Sequence, residues 1–259
     1  MSDTKICYVS SAFNEEKNIW PLYQRCLASF ENVKSKLSIG IEFKMILLNN
    51  NSQDNTLQIM KEVSLHDSRV CVYHNQKTYF NELSSAYGIS KALDQNSDLI
   101  INLHSDLQDP PEFTESMIST ILDENSAYDA VIAYKTKSNG NKLIRTFRKI
   151  YYVILKFSDR DSNLIKGFHG FGCFSRNTAK NAIWNFENTN VNLRSALSIA
   201  LVNPKLIPYA QMDRESGNSS YSFISYFNEA IDVISKGKSL TTRLSLRFGL
   251  FLFFLSIAI

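Results

Sequence analysis

An apolar run at 99–103 leads straight into His104-Ser105-Asp106-Leu107-Gln108-Asp109-Pro110-Pro111-Glu112. The run is short and aliphatic, as a buried strand is. The polar segment after it ends in helix-start chemistry: Asp109 suits the N-cap, Pro110 the first helical position, and Glu112 completes a capping box. Between strand and helix stand Asp106, Gln108 and His104, all able to bind a cation. A carboxylate at the carboxyl end of a parallel strand is where an open α/β sheet binds its ligands. Taken alone, the segment reads equally well as a plain helix cap.

Two further apolar runs end in polar clusters. Phe13-Asn14-Glu15-Glu16 comes after the run at 6–9, and Asn49-Asn50-Asn51-Ser52-Gln53-Asp54-Asn55-Thr56 after the run at 43–48. Each also offers a helix cap, in Asn14 and in Ser52 or Asp54.

The elements that must carry these clusters alternate. Strands are expected at 6–9, 43–48, 70–73, 99–103 and 130–134. Amphipathic helices are expected at 17–30, 56–65, 83–93 and 110–122. That order implies βαβ units and a mostly parallel sheet flanked by helices. Further on, 135–141 reads as a loop and 165–175 as a glycine-rich aromatic stretch. Helices are expected at 143–157, 177–184, 193–201 and 224–235, with a polar loop at 214–222. No Gly-x-Gly-x-x-Gly comes after the first strand, and Gly237-Lys238-Ser239 lacks the first glycine of a phosphate loop, so neither dinucleotide nor P-loop chemistry is supported.

The 259 residues are enough for a substantial core. A net charge of +3 gives no case for nucleic acid. Cys7, Cys26, Cys71 and Cys173 have neither metal-type spacing nor a disulfide framework, which fits a reducing, cytoplasmic setting. No secretory leader is expected, because the apolar run at 6–9 is too short. The other end differs. From 244 to 259 Arg247 is the sole charge, and Lys236, Lys238 and Arg243 precede it. A spanning helix needs about 20 apolar residues. The stretch therefore reads as an incomplete span, an interfacial helix or a helix buried on the domain, with the basic flank of a cytoplasmic membrane face. The expected division is a domain at 1–235 and a basic juxtamembrane segment with an apolar C-terminal helix at 236–259.

The wording of the clusters, in order, resembles one family. The segment 9–19 with Phe13-Asn14-Glu15-Glu16, the segment 49–56, Ser105-Asp106-Leu107-Gln108-Asp109-Pro110-Pro111-Glu112, Gly170-Phe171-Gly172-Cys173-Phe174-Ser175-Arg176 and the loop at 214–222 resemble the inverting family 2 glycosyltransferases of the GT-A fold. Within that family they are similar to the group of dolichyl-phosphate mannose synthases and bactoprenol glucosyltransferases. The resemblance covers nearly the whole chain.

It implies a Rossmann-like nucleotide-diphospho-sugar transferase. Phe13, Glu15, Asn49, Asn50 and Ser105 would face the nucleotide sugar. Asp106 and Gln108 would hold Mg²⁺ or Mn²⁺ on the donor diphosphate, where a divalent ion stabilises the leaving group. Arg145, Arg148, Arg176 and Arg214 are candidate phosphate ligands, since guanidinium grips phosphate as a fork. For Arg145 and Arg148 a solvated helix face is an equal reading. A phosphate acceptor is already anionic and needs no base; a sugar hydroxyl would need one, and Asp109 is the candidate.

The chain departs from the family pattern in places. His104 replaces the first Asp of the metal motif and is either a metal ligand or a hydrogen-bonded structural histidine. Asn49-Asn50 replaces an Asp pair, and because an amide both accepts and donates, the nucleotide base stays open. Ser220 replaces a lysine of the final loop. The implied partners are a nucleotide-diphosphate sugar, a polyprenyl phosphate or lipid-linked acceptor, the membrane at its cytoplasmic face and a second copy of the chain, with no nucleic acid. Two other function classes stay open: a non-catalytic family member that binds a partner, and a metal-dependent nucleotidyltransferase.

Overall fold

The computed structural model describes residues 3–37, 39–79, 81–136, 165, 167–189 and 191–212. The expected alternation is present. β1 (Thr4–Ala12), α1 (Ile19–Lys34), β2 (Ile41–Asn49), α2 (Thr56–His66), β3 (Val70–His74), α3 (Asn81–Asp94), β4 (Leu99–Asn102), α4 (Phe113–Ile121) and β5 (Ala130–Lys135) succeed one another. The chain continues with β6 (Gly172–Ser175), α5 (Arg176–Asn188), α6 (Leu193–Ala200) and β7 (Pro204–Tyr209).

The strands form one sheet in the order β3-β2-β1-β4-β6-β5-β7. All neighbours are parallel except β6, which pairs antiparallel with β4 and with β5. The strand order reverses between β1 and β4, the kind of switch point beside which open α/β sheets bind their ligands.

Alternation along β1 shows why the sheet is covered on both sides. Ile6 and Tyr8 pack into one apolar cluster with Leu22 and Phe30 of α1, Met60 of α2 and Met117 of α4. Cys7 and Val9 point the other way, into a second cluster with Ile89 of α3, Phe174 of β6, Ala182 of α5 and Leu197 of α6. Period-two side chains on a strand buried on both faces give the near-continuous apolar wording of such a sheet. Cys7, Cys26, Cys71 and Cys173 are free thiols, as expected.

The structure departs from the sequence reading in several places. β6 lies inside the stretch read as glycine-rich and aromatic, and β7 has no counterpart among the expected elements. β7 carries Pro204 and Pro208, residues that argue against a strand, but it is a sheet-edge strand, where proline is tolerated. Asp109 is not the cap of α4: the helix starts later, at Phe113, with Glu112 preceding it. Glu112 makes no capping box, because its carboxylate takes both arms of Arg25, at 2.6 and 2.8 Å. The expected helices at 143–157 and 224–235 and the apolar C-terminal helix at 244–259 lie outside the described residues. Among the described residues no helix is long and apolar enough to cross a membrane.

Candidate active site

The loops leaving β1, β2 and β4 open at the same edge of the sheet. Each contains a residue in the left-handed region: Asn14 at φ 56°, Asn51 at φ 59° and Leu107 at φ 58°. Asparagine tolerates that conformation; for leucine it costs about 1–2 kcal/mol. Leu107 persists there because its side chain is fully buried in the core. Backbone strain held by packing clusters at functional loops.

The first two loops are stitched together. The Asn14 N–H donates to Ser52 Oγ (3.0 Å), and the Gln53 N–H returns a bond to Asn14 Oδ1 (2.8 Å). The Glu15 N–H donates to Thr56 Oγ1 (2.8 Å), and the Glu16 N–H to Asp54 Oδ2 (3.2 Å). Glu15 is buried and accepts from Asn18 Nδ2 at 2.5 Å, while Phe13, just after β1, is half-buried. Ser11 Oγ, at the end of β1, is buried without a hydrogen-bond partner among the described residues, as are Ser10 Oγ and Ser97 Oγ.

Asn49 and Asn50 are both buried. Asn49 accepts from the Ser52 N–H (3.2 Å) and bonds His74 Nδ1 (2.9 Å). Asn50 accepts from the Tyr79 N–H (3.0 Å) and from Asn75 Nδ2 (3.0 Å), and its own amide donates to the Tyr79 carbonyl (2.8 Å). These amides hold the β3–α3 connection over the end of β2.

The β4 loop is tied to β1 by the Ser105 hydroxyl, which donates to the Ser11 carbonyl at 3.0 Å. Asp106 is half-buried, and its Oδ1 accepts from the Gln108 N–H at 3.2 Å in a turn that aims the carboxylate. Gln108 Oε1 accepts from Gln211 Nε2 (3.1 Å), and its carbonyl from the Met212 N–H (3.0 Å). The strand-end position expected for Asp106 and Gln108 is therefore present.

Behind them lies a polar cluster not expected from the sequence. Asp109 is fully buried. His104 Nδ1 sits 2.6 Å from its Oδ2, while His169 Nε2 (3.1 Å) and the Tyr209 hydroxyl (2.5 Å) reach its Oδ1. The rings of His104 and His169 stack at 5.4 Å with a 4° interplanar angle. Burial alone would raise the Asp109 pKa, but the two imidazoles outweigh it and hold the carboxyl well below the usual carboxylate range. Burial lowers the His104 pKa; the charge and hydrogen bond of Asp109 reverse this, and the net shift is upward. His169 goes down, because burial outweighs Asp109 there. Burial first, then the Asp109 charge, raises Tyr209.

The candidate ligand atoms of His104, Asp109 and His169 lie within 4.8 Å of one another, close enough for one cation to bridge them. Separations of 2.6 and 3.1 Å are nonetheless those of hydrogen bonds. His104 makes the hydrogen bond of one reading and stands in a group that could hold the cation of the other. Asp109, offered as a base, has no exposure, and its oxygens are engaged by His104, His169 and Tyr209 rather than open toward an acceptor hydroxyl.

Arg176 is a second correction. Its guanidinium binds the carbonyls of Leu93 and Ser97, both at 3.1 Å, and its N–H binds the Asp98 carbonyl. It closes the end of α3 beside the start of β4, at the sheet edge opposite the Asp106 loop. Arg145, Arg148 and Arg214 lie outside the described residues. His169 and Tyr209 were missed, since they join Asp109 from 60 and 100 residues away. The only hint was His169 standing directly before the Gly170 motif.

A mostly parallel α/β sheet with its metal-type loop at the β1/β4 switch defines a GT-A-like fold. The chain belongs to glycosyl transferase family 2, whose model matches residues 8–179; it is a family 2 glycosyltransferase. Among its relatives is CsbB of Bacillus subtilis (strain 168), provisionally named a glycosyltransferase, 24% identical over 259 residues, with 99% of this chain and 74% of that protein covered. Another is the undecaprenyl-phosphate 4-deoxy-4-formamido-L-arabinose transferase of Proteus mirabilis (strain HI4320), 25% identical over 238 residues, with 89% and 67% covered. The chain therefore spans about two-thirds to three-quarters of these relatives.

Among solved structures, glucosyl-3-phosphoglycerate synthase from Mycobacterium tuberculosis, with Mn²⁺, UDP-glucose and phosphoglyceric acid, aligns with a TM-score of 0.54 at 15% identity, covering 90% of this chain and 78% of that one. S. aureus TarS 1-349 with UDP-GlcNAc aligns with a TM-score of 0.53 at 14% identity, covering 90% and 66%. At such identities the likeness shows the fold.

Proposed function

We propose that this glycosyltransferase moves a sugar from a nucleotide-diphosphate sugar onto a polyprenyl phosphate or lipid-linked glycan in cell-envelope synthesis, at the cytoplasmic face of the cell membrane. The observation that carries the donor side is Asp106, held half-buried at the carboxyl end of β4 beside the strand-order switch. Its carboxylate and the Gln108 amide oxygen are the hard oxygen donors that Mg²⁺ or Mn²⁺ takes, so the residues present fit such an ion. A divalent ion there would offset the charge that develops on the leaving nucleotide. Phe13 flanks the base, and Ser11 and Ser105 line the seam between β1 and β4 that the diphosphate would occupy.

Two considerations support a phosphate acceptor. Asp109, the carboxylate offered as a base, is sealed among His104, His169 and Tyr209, and an anionic phosphate needs no base. The Proteus mirabilis relative is named for undecaprenyl phosphate. Arg145, Arg148 and Arg214 are the proposed acceptor and donor phosphate ligands, and the segment 236–259 is the proposed membrane contact.

The test is transfer itself. The full chain is incubated with individual nucleotide sugars, Mn²⁺ and a polyprenyl phosphate in detergent, and freed nucleotide and glycolipid are measured. Lipid-dependent release is expected, and Arg214→Lys should lose much of it, because a point charge does not replace the fork. Tight nucleotide binding with no release from any donor would favour the non-catalytic reading instead. Removal of 248–259 should shift the protein from the membrane to the soluble fraction; a stable, still membrane-bound product would overturn the proposed anchor.

A further inference from the structure

The Asp106 loop is fastened on two sides. Toward β1, the Leu103 N–H donates to the Val9 carbonyl (3.1 Å) and the Ser105 hydroxyl to the Ser11 carbonyl (3.0 Å). Toward β7, the Gln108 carbonyl accepts from the Met212 N–H, and Asp109 takes the Tyr209 hydroxyl and His169 Nε2 on one carboxylate oxygen. Both of these outside donors are held by their own surroundings. His169 stands between Gly167 (φ 84°) and Gly170 (φ 113°), backbone shapes that glycine adopts without steric cost. A Cβ on Gly167 would meet the Lys135 carbonyl at 2.8 Å. The Gly167 carbonyl accepts from the Lys135 N–H (3.0 Å) at the end of β5, and the Gly170 carbonyl from Asn102 Nδ2 (2.9 Å) at the end of β4. Tyr209 ends β7, and its ring lies against Phe171 at 5.5 Å and Phe113 at 5.8 Å.

We propose that His169 and Tyr209 are positioning residues for the donor's metal ion: by holding Asp109 they set the loop that presents Asp106 and Gln108, and so tune the affinity of the ion without touching it. The inference rests on the reading of Asp106 and Gln108 as the ion's ligands. Asp109 follows Gln108 directly, so any slip of its carboxylate is passed to both ligands through one peptide unit and a turn. Asp106 stands near the same cluster. After burial and Asp109 itself, its charge is the next influence on both His104 and Tyr209, and it raises the pKa of each. A site on a loop needs its ligands held to about 0.5 Å by supporting hydrogen bonds. Here those bonds come from the β5–β6 connection and from β7, which are far from Asp106 in the sequence and rigid in the fold. Mg²⁺ and Mn²⁺ accept one or two carboxylates with little tolerance in geometry, so a loosened loop weakens them first.

The test titrates Mn²⁺ into the full chain, alone and with excess UDP, GDP or CDP, and reads free Mn²⁺ by electron paramagnetic resonance. Folding of each variant is checked by circular dichroism. Tyr209→Phe and His169→Ala should each raise the Mn²⁺ Kd about 10-fold, the lower end of what supporting residues contribute at metal sites. His169→Gln should return it to within about 3-fold of wild type, because an amide N–H can replace Nε2–H. In transfer assays the loss should be overcome by excess Mn²⁺, since the ligands themselves are intact. Asp129→Asn is the control: it removes a carboxylate that takes the Val202 and Asn203 N–H groups at the opposite edge of the sheet. It should lower Tm and leave the Mn²⁺ Kd unchanged, and an equal loss of affinity there would reduce the effect to general loosening and overturn the proposal. Pulsed resonance of the bound Mn²⁺ should show no nitrogen coupling that His169→Ala removes; such a coupling would make His169 a ligand instead. Unchanged affinity in Tyr209→Phe and His169→Ala, with the ion lost in Asp106→Asn, overturns the positioning role while the metal loop stands. Retention of the ion by Asp106→Asn, or no binding by the wild type under any condition, overturns both.

Discussion

Replacing Asp109 by asparagine changes one atom's chemistry at the centre of the polar cluster. The side chain keeps its shape, and its amide oxygen keeps the Tyr209 bond. Its NH₂ then faces His104 Nδ1, where an oxygen accepted at 2.6 Å, and the anion that paired with His104 is gone. Hydrogen bonds to charged groups contribute about 1.5–3 kcal/mol each, and removing one partner of a buried ion pair costs about 3–5 kcal/mol. Retention of the Tyr209 bond puts the expected loss near the lower bound, about 3 kcal/mol. For a domain of this size that lowers Tm by roughly 6–12 °C.

The pH dependence carries a sign. The His104 pKa is raised on folding, so its contribution is complete below its unfolded value near 6.5 and fades as pH rises through the folded value. The Asp109 pKa is depressed, so its contribution is present above its unfolded value near 3.9 and is lost as pH falls through the folded value. His169, whose pKa is lowered, works against His104: its contribution grows as pH rises toward about 6.5. The Asp109→Asn penalty in urea unfolding monitored by circular dichroism should therefore be greatest between about pH 4 and pH 6.5 and shrink toward pH 8.5. A loss below about 1 kcal/mol, or a penalty that grows with alkalinity, would refute the buried-pair account.

Other consequences can be measured separately. Asp106→Asn should lower nucleotide release by about 100-fold or more with Tm essentially unchanged, because Asp106 sits half-buried in a loop; wild-type turnover would remove it from the metal site. Tyr209→Phe should destabilise the fold by about 1–3 kcal/mol, the cost of leaving a buried acceptor short of a donor, read from the urea midpoint at constant slope. At Leu107, both alanine and glycine should destabilise through lost burial, by about 2–5 kcal/mol. Glycine should be at least as stable as alanine there, the reverse of their usual order, because φ 58° strains any residue with a Cβ; an alanine variant clearly more stable than the glycine one would deny the strain.

The alternation of strands and helices was legible because period and turn chemistry are local. Isoleucine, valine and leucine runs ending at Asn14, Asn49 and Asp106 needed nothing beyond their neighbours to be read as strand ends facing a ligand. The order of the sheet was not local. β6 has only the residues Gly172–Ser175, too short a run to show a period, and it becomes a strand because β4 and β5 leave an antiparallel slot between them. β7 carries two prolines and is a strand only because it is at the edge. The side-chain roles depended on those decisions. Asp109 and Glu112 have the wording of a helix cap, yet Asp109 is claimed by His169 and Tyr209 from distant parts of the chain, and Glu112 by Arg25 of α1. Arg176 reads as a phosphate ligand until the antiparallel turn of β6 carries it to the far edge, where α3 ends. Asn49 and Asn50 could accept or donate until the Ser52 and Tyr79 backbones fixed which way each amide turns. The sequence by itself determined which residues stand at the strand ends. Tertiary structure decided which of them still have an unspent hydrogen bond to offer a ligand, because a polar group brought into the interior must first be satisfied by whatever the fold places against it.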